Sequence, residues 1–140
     1  MSRKYNLNFS EESSGTRVLF AFAPYLKRAF ENNRIIIVDE FEKSMHPTLI
    51  GLFIKLFNNK NVNKANSQLI ITTHAPNLLN LGLLRRDEIW FTEKNDKNGI
   101  SDLYPLDSFS VRKEENVQKG YLNGRYGAIP FIRDVDLWEE

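Results

Sequence analysis

The sequence predicts an α/β fold in which a mainly parallel sheet is flanked by helices. Two apolar runs indicate buried strands: Ile35 to Val38 is a run of four β-branched residues, and Ser67 to Pro76 contains a second run that ends in polar residues. The first run shows no alternation of apolar and polar residues, which is typical of a strand covered on both faces in the middle of a parallel sheet. Helical patterns precede the first run and lie between the two.

Length and composition set limits on the kind of protein. With 140 residues and a net charge of +1, the chain is one domain's worth of sequence with no general attraction to nucleic acid or membrane. It has no cysteine and only two histidines, which argues against disulfides and a histidine-built metal cluster. No apolar run approaches the roughly 18 residues of a membrane span. We therefore expect a cytoplasmic protein that does not contact a membrane.

The elements of the first half can be placed in order. Alternation of apolar and polar residues from Tyr5 to Phe9 predicts a short edge strand. A helix should begin at Ser13-Ser14-Gly15 and run to Phe30, with a kink at Pro24. Pro47 should open a second helix that ends near Phe57. The Asn/Lys-rich segment Asn58 to Asn66 is typical of a solvated loop.

The second half predicts a β-hairpin and an irregular tail. Asn77 to Leu84 suggests a short helix. The β-prone runs Ile89 to Thr92 and Ile100 to Tyr104 flank an Asn/Asp/Gly turn, which predicts the hairpin. Val111 to Tyr121 suggests a charged helix, and the Gly/aromatic segment Gly120 to Phe131 predicts little regular structure.

An acidic pair follows the first buried strand directly. Ligands of open α/β sheets bind just beyond the carboxyl ends of the strands, so Asp39 and Glu40 should point into a site. From there a carboxylate could hold a hydrated Mg²⁺ or accept a proton from water beside a nucleotide's phosphates. The alternative is that the pair only ends a strand and caps the helix opened by Pro47.

Two further polar stretches are candidates for a site. His74 follows the second buried strand, where an imidazole could donate a hydrogen bond to a phosphate oxygen or could simply be an exposed loop residue. Ser13, Ser14 and Gly15 precede a helix, where backbone N–H groups favour a phosphate. The alternative for this stretch is that a serine caps the helix.

Along the chain, a Ser-Ser-Gly helix start is followed by a strand that ends in Asp-Glu and then by a strand that ends in His. Three stretches in this order resemble the carboxyl-terminal half of an ATP-binding-cassette (ABC) ATPase head domain. The resemblance is to the soluble ATPases of chromosome maintenance, recombination repair and phage defence, and it covers nearly the whole chain. Glu12 to Thr16 resembles the family signature Leu-Ser-Gly-Gly-Gln, with Ser14 at a position that is usually glycine. This implies that Ser13 and Gly15 contact the γ-phosphate of a nucleotide bound to a partner molecule, and that Ser14 belongs to the same nucleotide-binding stretch.

The resemblance also implies roles around the first strand. Ile35 to Asp39 resembles the Walker B strand, so Asp39 would hold Mg²⁺ through water, and Glu40 would be the catalytic base. His74 matches the catalytic switch histidine that senses the γ-phosphate. Lys43-Ser44-Met45-His46 occupies the D-loop position, where Ser-Ala-Leu-Asp is usual, and implies a nucleotide contact across a dimer by Ser44.

The phosphate-binding Walker A loop is missing from the sequence. No Gly-x-x-x-x-Gly-Lys-[Ser/Thr] occurs, and no stretch before Ser10 could house it. We therefore expect residues 1–140 to form one partial domain that needs an amino-terminal Walker A lobe as partner and is inactive alone. With that lobe, the resemblance implies ATP and Mg²⁺ as cofactors and an ATP-dependent homodimer. DNA or a defence effector protein is a further possible partner.

Two other interpretations remain open. Ile129 to Ile132 followed by Arg133-Asp134-Val135-Asp136 resembles the strand and Asp-x-Asp of a Toprim-type metal nuclease, although Pro130 interrupts the run. The chain could also be a non-catalytic module that uses the same surface for dimerisation or docking. Adding the missing lobe and testing for ATP hydrolysis separates the second interpretation from the ATPase.

Overall fold

The structure is a computed structural model that describes residues 8–43, 45–95 and 98–129. Contacts divide the chain into two compact units, Met1–Ala75 and Pro76–Glu140. The helices and strands are α1 (Ser14–Asn32), β1 (Ile35–Val38), α2 (Pro47–Asn58), β2 (Gln68–Ile71), β3 (Trp90–Lys94), β4 (Ser101–Pro105) and α3 (Val117–Leu122). Within the described ranges, no helix is long and apolar enough to cross a membrane. The single partial domain expected from the sequence stays a prediction.

The first unit contains a parallel sheet of β1 and β2. The strands pair in register from Ile35 opposite Gln68 to Val38 opposite Ile71, and α2 forms the crossover between them. Because both strands run in the same direction, their carboxyl ends reach the same edge of the sheet. The α/β fold with a parallel sheet predicted from the sequence is confirmed.

The prediction that β1 is covered on both faces is wrong for the described residues. Burial alternates along the strand: Ile36 and Val38 are half-buried, whereas Ile35 and Ile37 are 58% and 71% exposed. Ile70 of β2 is 49% exposed as well. Side chains alternate between the two faces of a strand, so one face of the sheet meets the core of the unit and the other presents isoleucines to solvent.

Helix α1 begins where the sequence predicts, and its Phe22 side chain packs against the core. The helix continues through Pro24, whose side chain is exposed, so water can reach the carbonyl that proline leaves without a partner. Phe22 contacts Phe41 and Phe53 with ring centroids 5.8 and 5.6 Å apart. The first predicted strand lies mostly outside the described residues; Phe9 is in a 3₁₀ turn, Phe9–Glu11.

The Asn/Lys-rich loop is not uniformly solvated, because Asn63 is buried. Its side-chain amide donates to the carbonyls of Phe57 and Ser67, both at 2.8 Å, and its carbonyl accepts from the Ser67 N–H at 2.7 Å. The Ser67 hydroxyl donates to Ala29 O and accepts from Arg34 N. These bonds satisfy buried backbone groups at the start of β2 and tie it to the start of β1.

The second unit is built on the predicted hairpin, which is confirmed. Strands β3 and β4 pair antiparallel from Trp90 opposite Pro105 to Lys94 opposite Ser101. Its core is a cluster of buried side chains from the hairpin and the chain that follows: Ile89, Phe91, Leu106, Val111, Val117 and Tyr126.

Two helix predictions for this unit are wrong: the first helix is replaced by a short turn, and the second is shorter than predicted. In place of a helix over Asn77 to Leu84 there is a 3₁₀ turn, Pro76–Leu78, after which the Asn80 side chain accepts from Gly82 N. The charged helix is reduced to α3, because the Asn116 side chain accepts from Lys119 N at 2.8 Å and caps the helix there. Val111 lies in the core, and its carbonyl accepts from Arg86.

The Gly/aromatic tail has little regular structure after α3, as predicted, but it is closely packed. Tyr126 is 1% exposed, and a Cβ at Gly120 would lie 2.8 Å from its ring. Gly127 has φ +70°, and a Cβ there would lie 2.7 Å from the Tyr104 hydroxyl. Both glycines therefore allow aromatic side chains to approach the backbone. Residues 130 and 131 of the predicted tail lie outside the described residues.

Tyr104 gives the second unit a predicted sensitivity to alkaline pH. Its hydroxyl donates to Tyr126 O at 2.8 Å, and burial together with the nearby Glu93 carboxylate raises the pKa of Tyr104 to about 12, from an ordinary 10.0. A raised pKa in the folded state means that the stabilisation is complete below the unfolded pKa and is lost as the pH rises through about 12. The free energy of unfolding of this unit should therefore fall from about pH 10 upward.

This pH dependence can be measured by urea denaturation followed by near-ultraviolet circular dichroism at a series of alkaline pH values. Tyr104→Phe should lower stability at neutral pH and reduce the alkaline decrease to the part contributed by Tyr126, whose pKa burial also raises. An equally steep decrease in that variant would contradict the assignment to Tyr104.

Candidate functional site

The carboxyl ends of β1 and β2 are joined by hydrogen bonds that set the position of the acidic pair. Thr72 follows β2, and its N–H donates to Val38 O at 3.1 Å, while its carbonyl accepts from Phe41 N at 3.1 Å. The Thr72 hydroxyl accepts from Glu40 N at 2.9 Å and donates to the Asp39 carboxylate. One threonine therefore holds the backbone of Glu40 and the side chain of Asp39 at the end of the neighbouring strand.

Glu40 lies between a lysine and a histidine. Its Oε2 is 2.5 Å from Lys43 Nζ, and its Oε1 is 3.7 Å from His74 Nε2. The hydrogen bond to Glu40 raises the pKa of Lys43, so Lys43 stays charged beside the carboxylate. Glu40 has φ +47°, a left-handed conformation that is uncommon for residues other than glycine. Such conformations are frequent at functional sites, where the surrounding structure maintains them.

The structure thus brings Glu40 and His74 together at one edge of the sheet. The His74 side chain is 83% exposed and that of Glu40 is 35% exposed, so both are accessible to a ligand. This is the placement expected if the acidic pair and the histidine emerge from neighbouring parallel strands.

Glu42 is a third carboxylate at this edge, and the sequence reasoning missed it. Its Oε1 accepts from the backbone N–H of His74 at 2.7 Å. Burial raises the pKa of Glu42, but the hydrogen bonds from the His74 backbone and the Thr73 side chain, together with smaller contributions from its own backbone and the His74 imidazole, outweigh it, so the pKa lies below its usual value. The sequence feature that could have identified Glu42 is its position two residues after Glu40, in the same polar stretch.

Ser13, Ser14 and Gly15 lie at the start of α1. Ser13 is the N-cap residue, and its Oγ accepts from Thr16 N at 3.1 Å, so the predicted serine cap is confirmed. Ser13 and Ser14 are exposed and Gly15 is half-buried. A helix start of this kind remains accessible to an anion, and the nucleotide contacts of these residues stay a prediction.

The residues at the D-loop position, Lys43 to His46, differ from one another in burial. Ser44 lies outside the described residues. Met45 is 4% exposed and belongs to the core, whereas His46 is exposed and its Nδ1 accepts from Thr48 N at 3.3 Å. His46 is therefore the N-cap of α2, and Pro47 occupies the first turn.

Asp39 has the chemistry of a magnesium ligand. Its carboxylate is exposed, and the adjoining Thr72 hydroxyl provides a second hard oxygen. In the part of the chain that the structure describes, no group of three or more His, Asp and Glu side chains could hold a metal ion. Mg²⁺ at nucleotide sites is commonly bound by one or two protein oxygens, with water and phosphates as its other ligands, and the Asp39 environment fits that pattern.

Comparison with known proteins identifies a relative of the chain. The chain is 36% identical over 135 residues to Endonuclease GajA of Bacillus cereus (strain HuB5-5). The alignment covers 79% of this chain and 19% of the relative, so the chain spans about a fifth of that protein's length. No solved structure matches the chain.

A family match gives the clearest classification. Residues 1–80, more than half of the 140 residues, match the family described as "AAA domain, putative AbiEii toxin, Type IV TA system". The matched segment includes α1, β1, α2 and β2 and hence every residue of the site at the sheet edge. The chain therefore belongs to this AAA-domain family and is related to the ABC-type P-loop ATPases.

Proposed function

We propose that the chain is the carboxyl-terminal lobe of an ABC-type ATPase head that acts in phage defence or DNA maintenance. The observation that carries the proposal is the approach of Glu40 Oε1 to His74 Nε2, 3.7 Å apart, beside the Asp39–Thr72 pair. Transfer of a phosphoryl group to water requires a base for the attacking water, a hydrogen-bond donor to the terminal phosphate and a magnesium ligand. Glu40, His74 and Asp39 are side chains of these three kinds.

Each residue has a distinct proposed role. Asp39 would hold Mg²⁺ through water, and the bound ion would neutralise charge on the phosphates. Glu40 orients the attacking water and accepts its proton, and its exposed fraction leaves room for that water. His74 donates a hydrogen bond to the terminal phosphate.

A second copy of the head would complete the site. Ser13, Ser14 and Gly15, together with Ser44, would contact the nucleotide bound to the partner molecule. The exposure of Ser13 and Ser14 supports this proposal, since a buried helix start could not reach another molecule. The assembly would therefore be an ATP-dependent homodimer.

The phosphate-binding loop would be supplied by a further lobe, on the same polypeptide or another. The exposed isoleucines of the β1–β2 sheet support this part of the proposal. A two-stranded sheet is only marginally stable by itself, and an apolar face of this kind is normally covered by another layer. We refer below to the chain combined with that lobe as the assembly.

The work driven by ATP would involve nucleic acid. The relative is named an endonuclease, and the chain corresponds to about a fifth of it, so we place the cleavage chemistry of the intact protein outside the ATPase lobe. The alternative nuclease pair, Asp134 and Asp136, lies outside the described residues. A non-catalytic docking module is the other alternative, and the assembly would then bind ATP without hydrolysing it.

Calorimetric titration with Mg²⁺ and ATP tests the proposal. The 140-residue chain alone should bind ATP weakly or not at all, because the backbone cradle and lysine of the phosphate-binding loop supply most of the affinity. The assembly should bind ATP tightly and hydrolyse it. Micromolar affinity in the chain alone would contradict the proposal, and so would an assembly that does not hydrolyse ATP.

A further inference from the structure

The 3₁₀ turn Phe41–Lys43 follows β1 and is hydrogen-bonded to the chain after β2 through two of its residues, Phe41 and Glu42. Phe41 is fully buried against Phe53, with ring centroids 5.5 Å apart, and its N–H donates to Thr72 O. This anchor directs Glu40 and Glu42, one residue to either side, toward the same histidine. Glu40 approaches the imidazole of His74, and Glu42 accepts from its backbone N–H.

Packing cannot hold the imidazole of His74 in place, since the side chain is 83% exposed. An exposed side chain samples several rotamers, and its average position depends on where the backbone directs it. The hydrogen bond from His74 N to Glu42 Oε1, 2.7 Å long, is of the strong kind in which the acceptor is charged. The lowered pKa of Glu42 means that this acceptor remains ionised at neutral pH.

The second oxygen of Glu42 indicates that the carboxylate is not there for stability alone. Glu42 Oε2 is buried and accepts no hydrogen bond of normal geometry among the described residues, although the neighbouring Thr73 side chain helps to lower the pKa of the carboxyl group. A buried polar atom without a partner costs free energy, and such atoms are uncommon in native structures unless they serve a purpose at a site. An apolar residue would pack into the same space without that cost.

We propose that Glu42 is a positioning residue, whose carboxylate holds the backbone of His74 so that the imidazole stays within reach of Glu40. The role rests on the proposed ATPase function, in which His74 contacts the terminal phosphate. Glu42 itself contacts neither phosphate nor water in the reaction. It acts through His74.

Hydrogen exchange of the His74 amide, measured by NMR on the 140-residue chain, tests the contact. Glu42→Ala should speed exchange at this amide by about tenfold or more, because a charge-assisted hydrogen bond is lost. Glu42→Gln keeps an acceptor oxygen and should recover most of the protection. Glu31→Ala, which removes an exposed carboxylate on α1, is the matched control and should change nothing. The Thr48 amide, bonded to His46 in the same unit, reports whether the fold is intact.

ATP turnover by the assembly tests the consequence. Glu42→Ala should lower kcat by about tenfold or more and leave the KM for ATP unchanged, since the histidine acts on the terminal phosphate during reaction. Glu42→Gln should restore most of the lost kcat. A purely structural role would instead loosen the whole unit, with faster exchange at Thr48 and a higher KM.

Two results would overturn the positioning role: an unchanged exchange rate at His74 in Glu42→Ala, or faster exchange there without any fall in kcat. A failure of the proposed function gives a different result. In that case the unmodified assembly would not hydrolyse ATP, or Glu40→Gln would not reduce hydrolysis, and the exchange rate at His74 would still decide whether Glu42 positions the histidine.

Discussion

Replacement of Glu40 by glutamine should abolish ATP hydrolysis by the assembly and leave ATP binding intact. Glutamine has nearly the same shape as glutamate and can still accept a hydrogen bond from Lys43, but it cannot take a proton from the attacking water. Loss of a positioned general base typically costs a factor of about 10² to 10⁴ in rate. The magnesium ligand proposed at Asp39 remains, so nucleotide affinity should be unchanged.

Two measurements on the same preparation check this result: calorimetric ATP affinity and steady-state phosphate release. Glu31→Gln makes the same chemical change on the exposed surface of α1 and should retain full turnover. Asp39→Asn should differ from both, with weaker binding of Mg²⁺ and ATP together. Normal turnover in Glu40→Gln would remove this residue from the mechanism.

Replacement of Tyr126 by alanine should destabilise the second unit by about 3–5 kcal/mol, as is typical when a large buried aromatic side chain is removed. The ring is 1% exposed and stacks on Phe91 with centroids 5.7 Å apart. Its hydroxyl also lies 3.0 Å from Glu115 Oε1. The variant therefore loses aromatic packing and leaves a cavity beneath Gly120.

Hydrogen exchange followed by mass spectrometry can resolve this loss along the chain. Peptides from the β3–β4 hairpin and α3 should exchange faster in Tyr126→Ala, whereas peptides from α1 and α2, in the other compact unit, serve as the internal reference. Tyr25→Ala is the matched control, because that tyrosine is 67% exposed. Equal protection of the hairpin in Tyr126→Ala and the unmodified chain would contradict the assignment of Tyr126 to the core.

Sequence patterns predicted an element correctly where the interactions that form it act within a few residues. The β-branched run Ile35 to Val38 was predicted with the bounds that the structure has, and α1 and α2 begin at Ser14 and Pro47, as predicted. The cap of α2 is His46 and not the acidic pair, so that alternative for Asp39 and Glu40 is wrong. Strand propensity, proline at a helix start and a side-chain cap act within a few residues, so the sequence displays them directly.

Errors occurred where the conformation depends on a contact that residue type does not display. Asn63 looks like part of a polar loop, but it is buried because it satisfies backbone groups of Phe57 and Ser67. Val111 looks like the start of a charged helix, but its side chain belongs to the core of the hairpin unit. The partners of Asn63 lie only six and four residues away, but residue type does not show that the loop folds back on its own backbone. The partner of the Val111 carbonyl, Arg86, lies 25 residues away.

The sequence by itself determined the order of the elements, the parallel sheet and the identity of Asp39, Glu40 and His74 as candidate site residues, because these follow from residue type and short spacing. Only the tertiary structure decided that the Thr72 hydroxyl joins the two strand ends, that Glu42 holds the backbone of His74, and that one face of the sheet is exposed. Those features depend on atoms more than thirty residues apart along the chain, which are brought within hydrogen-bond distance only when β1 and β2 pair in register.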